Sequence, residues 1–180
     1  MVYIALFAAV VAALGVMPPI NLAAVGVPIT AQTLGVMLAG GILGARRGAL
    51  AMVLFLLLVA VGLPLLAGGR GGLGVFFGPS GGFVLGWVAT AWVIGLLVER
   101  FWSWLTVVHA LLACVGGGVV VLYAIGIPWV AWAADLTLRQ AFVGSLAFVP
   151  GDLVKAVIAA WVIVIVRRSY PLISGRREIR

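Results

Sequence analysis

Charge is scarce in this chain. Asp, Glu, Lys and Arg make up 8% of its 180 residues, against about a quarter in an ordinary soluble domain. Hydrophobic residues reach 66%, more than a core of this size can hide, so lipid must be the solvent and the chain reads as an integral membrane protein. There is one cysteine, Cys114, which excludes a disulfide framework and a cysteine metal site. There is one histidine, His109, with no second histidine or carboxylate beside it in sequence, and it reads as a packed or interfacial ring. There is one lysine, Lys155, and it follows Leu153-Val154 rather than a glycine loop. A Walker A motif is therefore absent, HExxH is absent, and the chain cannot hydrolyse ATP by a P-loop mechanism. These gaps leave no catalytic constellation and no ligand set for a metal or cofactor. The expectation is a protein that is not an enzyme.

The charge that is present is unevenly placed. The net charge of +7 could suggest nucleic acid, yet five of the eleven basic residues fall in positions 167–180, beyond the last apolar run. That placement signals membrane topology and a basic cytoplasmic tail, whose arginines also attract anionic lipid. Nucleic acid is not an expected partner. The N-terminus lacks a charged leader region and a small-residue cleavage site, so it reads as a retained first helix.

A spanning helix needs about 20 apolar residues. Six runs qualify or nearly qualify: 2–17, 29–45, 48–66, 83–98, 104–125 and 149–166. Pro18-Pro19 closes the first, Arg46-Arg47 parts the second from the third, and Glu99-Arg100 parts the fourth from the fifth. With both termini in the cytoplasm, Arg46, Arg47, Arg100, Arg167, Arg168, Arg176, Arg177 and Arg180 lie inside, while Arg70 and Arg139 lie outside. The expected fold is all-α, a single transmembrane domain of six transmembrane helices with both termini cytoplasmic, in a prokaryotic-type cell membrane.

Two outer connections stand out. Residues 67–82 contain eight glycines in sixteen positions; residues 124–148 carry Trp129 and Trp132, suited to an interfacial belt, and a short helix near 136–146. Irregular backbone near membrane depth survives where it is buried or lines a cavity, which implies an outward-facing pocket.

The strongest pointer to function is Asp152 with Lys155, three residues apart at the mouth of the last apolar run. Charged groups at a helix centre cost roughly 2.5–3.5 kcal/mol each on insertion scales, and they persist mostly where they pair, meet water or bind something. On one helical face the two groups either share a ligand or close on each other, with Asp152 at the positive end of the helix dipole. As an acceptor and a donor side by side they suit a neutral amide-like group. Arg70, the lone charge of the glycine loop, can clamp a carboxylate or stand solvated. Thr30, Gln32 and Thr33 supply polar groups at the same depth; the threonines can equally bond back to their own helix. The pattern Gly69-x-Gly71-x-x-Gly74 matches a dinucleotide fingerprint in letters alone, since no βαβ unit surrounds it. Ala5, Ala9 and Ala13 form a small-residue stripe that lets another helix approach closely, whether internal, from a second copy of the chain or from another subunit. The tryptophans and phenylalanines read as packing and interface residues.

Three stretches occur in order: Val27-Pro28-Ile29-Thr30-Ala31-Gln32-Thr33-Leu34; Ala67-Gly68-Gly69-Arg70-Gly71-Gly72 with Gly78-Pro79-Ser80-Gly81-Gly82; and Pro150-Gly151-Asp152-Leu153-Val154-Lys155. Together they resemble the biotin-specific substrate-binding (S) component of energy-coupling-factor vitamin transporters. The resemblance implies a six-helix S-component fold and biotin held near the outer face under loop lids. It also implies partnership with a transmembrane coupling (T) subunit and two ABC-type ATPases. The T subunit is expected to face Ala5, Ala9 and Ala13, and biotin to meet Asp152, Lys155, Arg70, Gln32 and Thr30. Whether Lys155 or Arg70 takes the biotin carboxylate stays open at this point. The alternatives are a carrier for another small carboxylate or vitamin, and an intramembrane enzyme using Asp152 as a base.

Overall fold

The computed structural model describes residues 1–21 and 26–169. Arg176, Arg177 and Arg180 of the expected cytoplasmic tail lie outside the described residues.

Among the described residues the chain is overwhelmingly helical. In order come α1 (Val2–Leu14), α2 (Gln32–Leu43), α3 (Ala45–Ala60), a one-turn α4 (Gly74–Phe77) and α5 (Gly81–Arg100). A continuous rod follows: α6 (Val107–Val115), a π-helical segment (Gly116–Val121) and α7 (Leu122–Ala133). Then α8 (Leu138–Ser145) leads through a 3-10 turn (Leu146–Phe148) into α9 (Val149–Ser169). Three stretches, Gly81–Arg100, Val107–Ala133 and Leu138–Ser169, are long and apolar enough to cross a membrane.

The arrangement centres on α2. Nine of its twelve residues are buried, so it is apolar on every side rather than along one stripe. At 1.5 Å per residue it is about 18 Å long, too short to cross about 30 Å of hydrocarbon unaided. Helices α1, α3, α5 and α9 pack around it. Glycine makes that packing close: a Cβ on Gly40 would strike the Ala91 carbonyl of α5, and one on Gly41 would strike Ile163 of α9.

Several element boundaries differ from those read in the sequence, each for a local reason. Helix α2 starts at Gln32 rather than 29, because Pro28–Ile29 pairs antiparallel with Ile20–Asn21 as a two-residue strand pair. Pro28 cannot donate to a helix or a ladder, and the residue before a proline prefers extended backbone. Helix α3 starts at Ala45, so Arg46-Arg47 sit inside its first turn instead of parting two helices. The break is Gly44, at φ 82°, and the Glu99 carboxylate accepts the Ala45 N–H at 2.8 Å. A carboxylate at that position satisfies an orphan donor and complements the helix dipole. The helix also stops at Ala60, short of 66, where Gly62 turns at φ 111° ahead of Pro64. The fifth run extends to Ala133 instead of 125, straight through Pro128. Trp129 and Trp132 therefore stand on a helix, and the connection to α8 shrinks to residues 134–137. Intramembrane helices tolerate proline because neighbours and local π adjustments absorb the freed backbone groups.

Gln32 at the start of α2 bonds the Val11 carbonyl near the end of α1, and Thr33 meets Asp152 near the start of α9. One end of the bundle thus gathers the end of α1 and the beginnings of α2 and α9. The first residue of α1 and the last of α9 lie at the opposite end.

Candidate ligand-binding site

At the gathered end lies a pocket of about 520 Å³, open solvent at its mouth included. Its walls are mostly apolar and aromatic, with Leu66, Phe83, Val84, Trp87, Leu122 and Phe148. All five residues expected at the site, Thr30, Gln32, Arg70, Asp152 and Lys155, line it as well. The structure brings them together from the approach to α2 (Thr30), α2 itself (Gln32), the glycine loop (Arg70) and α9 (Asp152 and Lys155).

Asp152 sits in the first turn of α9 and is 5% exposed. Lys155 Nζ donates to its Oδ1 at 2.9 Å, and Thr33 Oγ1 lies 3.2 Å from the same oxygen. Lys155 Nζ also donates to Thr33 Oγ1 at 2.9 Å, closing a triangle. On the other oxygen, Tyr123 donates its hydroxyl to Oδ2 at 2.7 Å. A carboxylate has about four acceptor sites and an ammonium three donors. Among the described residues three of the former and two of the latter are occupied, which leaves one acceptor site on Asp152 and one proton on Lys155.

Arg70 is held differently. Leu66 and Arg70 exchange both backbone hydrogen bonds, at 3.0 and 3.2 Å, and so close a five-residue loop. Gly68 and Gly69 turn that loop at φ 79° and 69°, values a side chain would resist. Arg70 Nε donates to the Ala67 carbonyl and Nη1 to Ser80 Oγ, both at 3.2 Å. No carboxylate pairs with it among the described residues. Partial burial strips water from the guanidinium and lowers its pKa, though it stays charged. Asp152 and Lys155 cancel, so the pocket carries one uncompensated positive charge.

Gln32 is fully buried, and its amide is turned to backbone. Nε2 donates to the carbonyls of Val11 (3.1 Å) and Leu65 (3.0 Å), while Oε1 accepts the Ala67 N–H (3.0 Å). It joins α1, α2 and the loop that carries Arg70. Thr30 is half-buried in the wall. The α7 residue Trp129 donates to the Gly78 carbonyl at 3.1 Å and fastens the far side of the loop.

Three contributors escaped the sequence reading as site residues. Thr33 was seen only as a polar residue at the right depth. Tyr123 reads as core within an unbroken apolar run, and nothing in its neighbours distinguishes it. Trp87 reads as packing, yet it is 4% exposed, lines the pocket and has an indole N–H without a partner among the described residues. The run Gly78–Gly82 also matches the letters of a hydrolase nucleophile elbow, G-x-S-x-G. Here it follows a helical turn instead of a strand, and the sole histidine, His109, bonds Thr106 at 2.8 Å in the first turn of α6. Ser80 is a partner of Arg70, not a nucleophile.

On α1, Ala5, Ala9 and Ala13 are exposed, while Phe7, Ala8 and Val11 face the core. The small-residue stripe points out of the bundle.

Comparison with known proteins gives a consistent result. The model of the BioY family matches residues 1–172. A biotin transporter BioY of Rhizobium etli is 52% identical, over 98% of this chain and 97% of its own length. Another, from Rhodobacter capsulatus, is 49% identical over 88% of each chain. Among solved structures, the S-component for biotin from an ECF-type ABC transporter superposes with a TM-score of 0.89. That match is at 32% identity and covers 93% of this chain and 89% of the other.

Proposed function

The chain belongs to the BioY family, and from that premise we propose how its pocket captures biotin for uptake. It is the substrate-specific component of an energy-coupling-factor transporter, not an enzyme. The reading rests above all on the buried Asp152–Lys155–Thr33–Tyr123 network, with its one free acceptor site and one free proton.

A cyclic urea presents an N–H beside a C=O. The free lone pair of Asp152 takes the ureido N–H, and the free proton of Lys155 goes to the ureido oxygen. The bicycle lies against Phe83, Trp87, Leu122 and Phe148, where its apolar surface leaves water. The valerate carboxylate meets Arg70, whose unused guanidinium N–H groups and uncompensated charge it completes. This assigns the carboxylate to Arg70 over Lys155, because Lys155 already has its counter-charge. Thr30 adds a hydroxyl to the wall. Gln32 acts as a positioning residue: it fixes Ala67, and the Ala67 carbonyl in turn holds Arg70 Nε.

The wider arrangement follows the same reading. The rods α1, α2, α3, α5, α6–α7 and α9 form the membrane domain, the short α2 enclosed by its neighbours, with both termini cytoplasmic and the pocket facing out. The chain has no ATPase motif, so the energy comes from two ABC-type ATPases through a coupling subunit that docks on Ala5, Ala9 and Ala13.

Isothermal titration of the purified chain with biotin should show one site per chain, and mass spectrometry should find biotin co-purifying. No biotin binding, with a different small carboxylate retained instead, would overturn the substrate assignment while leaving the fold untouched.

A further inference from the structure

A second cavity lies outside the proposed biotin pocket, on the flank where α8 folds back against α7. It is a groove of about 1210 Å³, including its open side. Val120, Ala124 and Ile127 form one wall and Phe142 and Leu146 the other; Val120, Phe142 and Leu146 are about half exposed or more. From Val119 to Pro128 the rod advances about 13 Å at 1.5 Å per residue. The groove is thus a channel running from the site end of the bundle toward its middle.

Its polar element is Arg139, in the first turn of α8. Arg139 is exposed and makes no hydrogen bond or ion pair with the described residues; Asp135, four residues earlier, does not reach it. An apolar channel with one unpaired guanidinium at the end nearest the membrane surface matches an amphiphile with an anionic head and an acyl tail. We infer that this groove is a phospholipid site, with the phosphate on Arg139 and an acyl chain between α7 and α8.

The groove backs onto the ligand site through one residue. Tyr123 lines the groove and also donates its hydroxyl to Asp152 Oδ2. A seated acyl chain packs the face of the ring whose hydroxyl holds the carboxylate, so lipid occupancy steadies the proposed biotin site. This second half rests on that proposed site, whereas lipid binding itself does not.

Native mass spectrometry of the delipidated full chain, titrated with dioleoylphosphatidylglycerol or with dioleoylglycerol, separates head from tail. The wild type should retain one phosphatidylglycerol, with dioleoylglycerol about tenfold weaker. Arg139→Gln should drop phosphatidylglycerol to the dioleoylglycerol level, and Ala124→Phe should weaken both. Unchanged retention in either variant would overturn the site. So would a dimer that Ala124→Phe abolishes, since a second copy of the chain would then fill the groove. Biotin affinity of the delipidated wild type should rise several-fold on adding phosphatidylglycerol, and Arg139→Gln should lose that rise. Lipid retention without this rise overturns the coupling alone.

Discussion

The two ends of the bundle use polar groups in opposite ways. At the end opposite the pocket, Glu99 accepts the Ala45 N–H, and Arg167 donates to the carbonyls of Leu105 and Ser103. Arg167 also lies 5.4 Å from the centre of the Trp102 ring, and His109 is held by Thr106 among Phe101 and Trp104. Each of these groups answers a backbone atom or a ring that the fold itself leaves open. At the pocket end, Asp152, Lys155 and Arg70 also have partners, yet each keeps a site unused, and the cluster keeps a net positive charge. What separates them is burial and placement: Asp152 is 5% exposed and lines a pocket together with Lys155 and Arg70, whereas Glu99 is exposed and neither it nor Arg167 lines that pocket.

If that difference is functional, the largest effect belongs to the acid–lysine pair. Asp152→Asn or Lys155→Met leaves the other partner buried without its counter-charge, a loss of about 3–5 kcal/mol in comparable pairs. Biotin affinity measured by titration should fall roughly a hundredfold to a thousandfold in either, the order for truncating one partner of a hydrogen-bonded charge pair in a binding site. Affinities within threefold of wild type would remove the pair from the site.

Arg70 comes next. Arg70→Ala should weaken biotin roughly tenfold to a hundredfold, the range for hydrogen bonds to charged groups. Biotinamide, which lacks the carboxylate, supplies the second side of a double-mutant cycle. The wild type should lose a similar factor on biotinamide, and Arg70→Ala should no longer distinguish the two ligands. If the variant still prefers biotin by the wild-type factor, the carboxylate partner is Lys155.

How much of this could be read from the chain depended on contrast. Asp152, Lys155 and Arg70 are legible because charge interrupts long apolar or glycine-rich runs, and each interruption demands a reason. Tyr123 offers no contrast, since a tyrosine among Val, Leu and Ala reads as core, and its partner lies 29 residues away. The central place of α2 was equally hidden. Its length and glycines were visible, but which helices fill those glycine notches is a tertiary fact. Boundaries failed in two places: the fifth run does not stop at 125 but continues through Pro128 to Ala133, and Arg46-Arg47 lie inside α3 instead of parting two helices. At Ala45 a neighbouring element supplies what the local sequence lacks, the Glu99 carboxylate of α5.

Gln32 tests the positioning chain between these groups. Gln32→Met keeps the volume but removes the acceptor for Ala67 N–H and both donors to carbonyls. Thermal stability should fall, and biotin affinity should fall about tenfold if the loop then lets Arg70 drift. In an Arg70→Ala background the same change should cost little further affinity. An equal loss in both backgrounds would mean that Gln32 touches biotin directly.

The smallest effect on binding belongs to the opposite end, and it sets the control for all the others. Glu99→Ala and Arg167→Gln each remove contacts worth about 1–2 kcal/mol to the fold, through a helix N-terminus in one case and two carbonyls with a ring in the other. Melting temperature in detergent should drop in both. Biotin affinity at a temperature well below the melt should stay within twofold of wild type, because neither side chain lines the pocket. A tenfold loss there would break the comparison at its root: it would tie the far end energetically to the pocket, and burial in the pocket wall would no longer separate ligand-binding charge from structural charge.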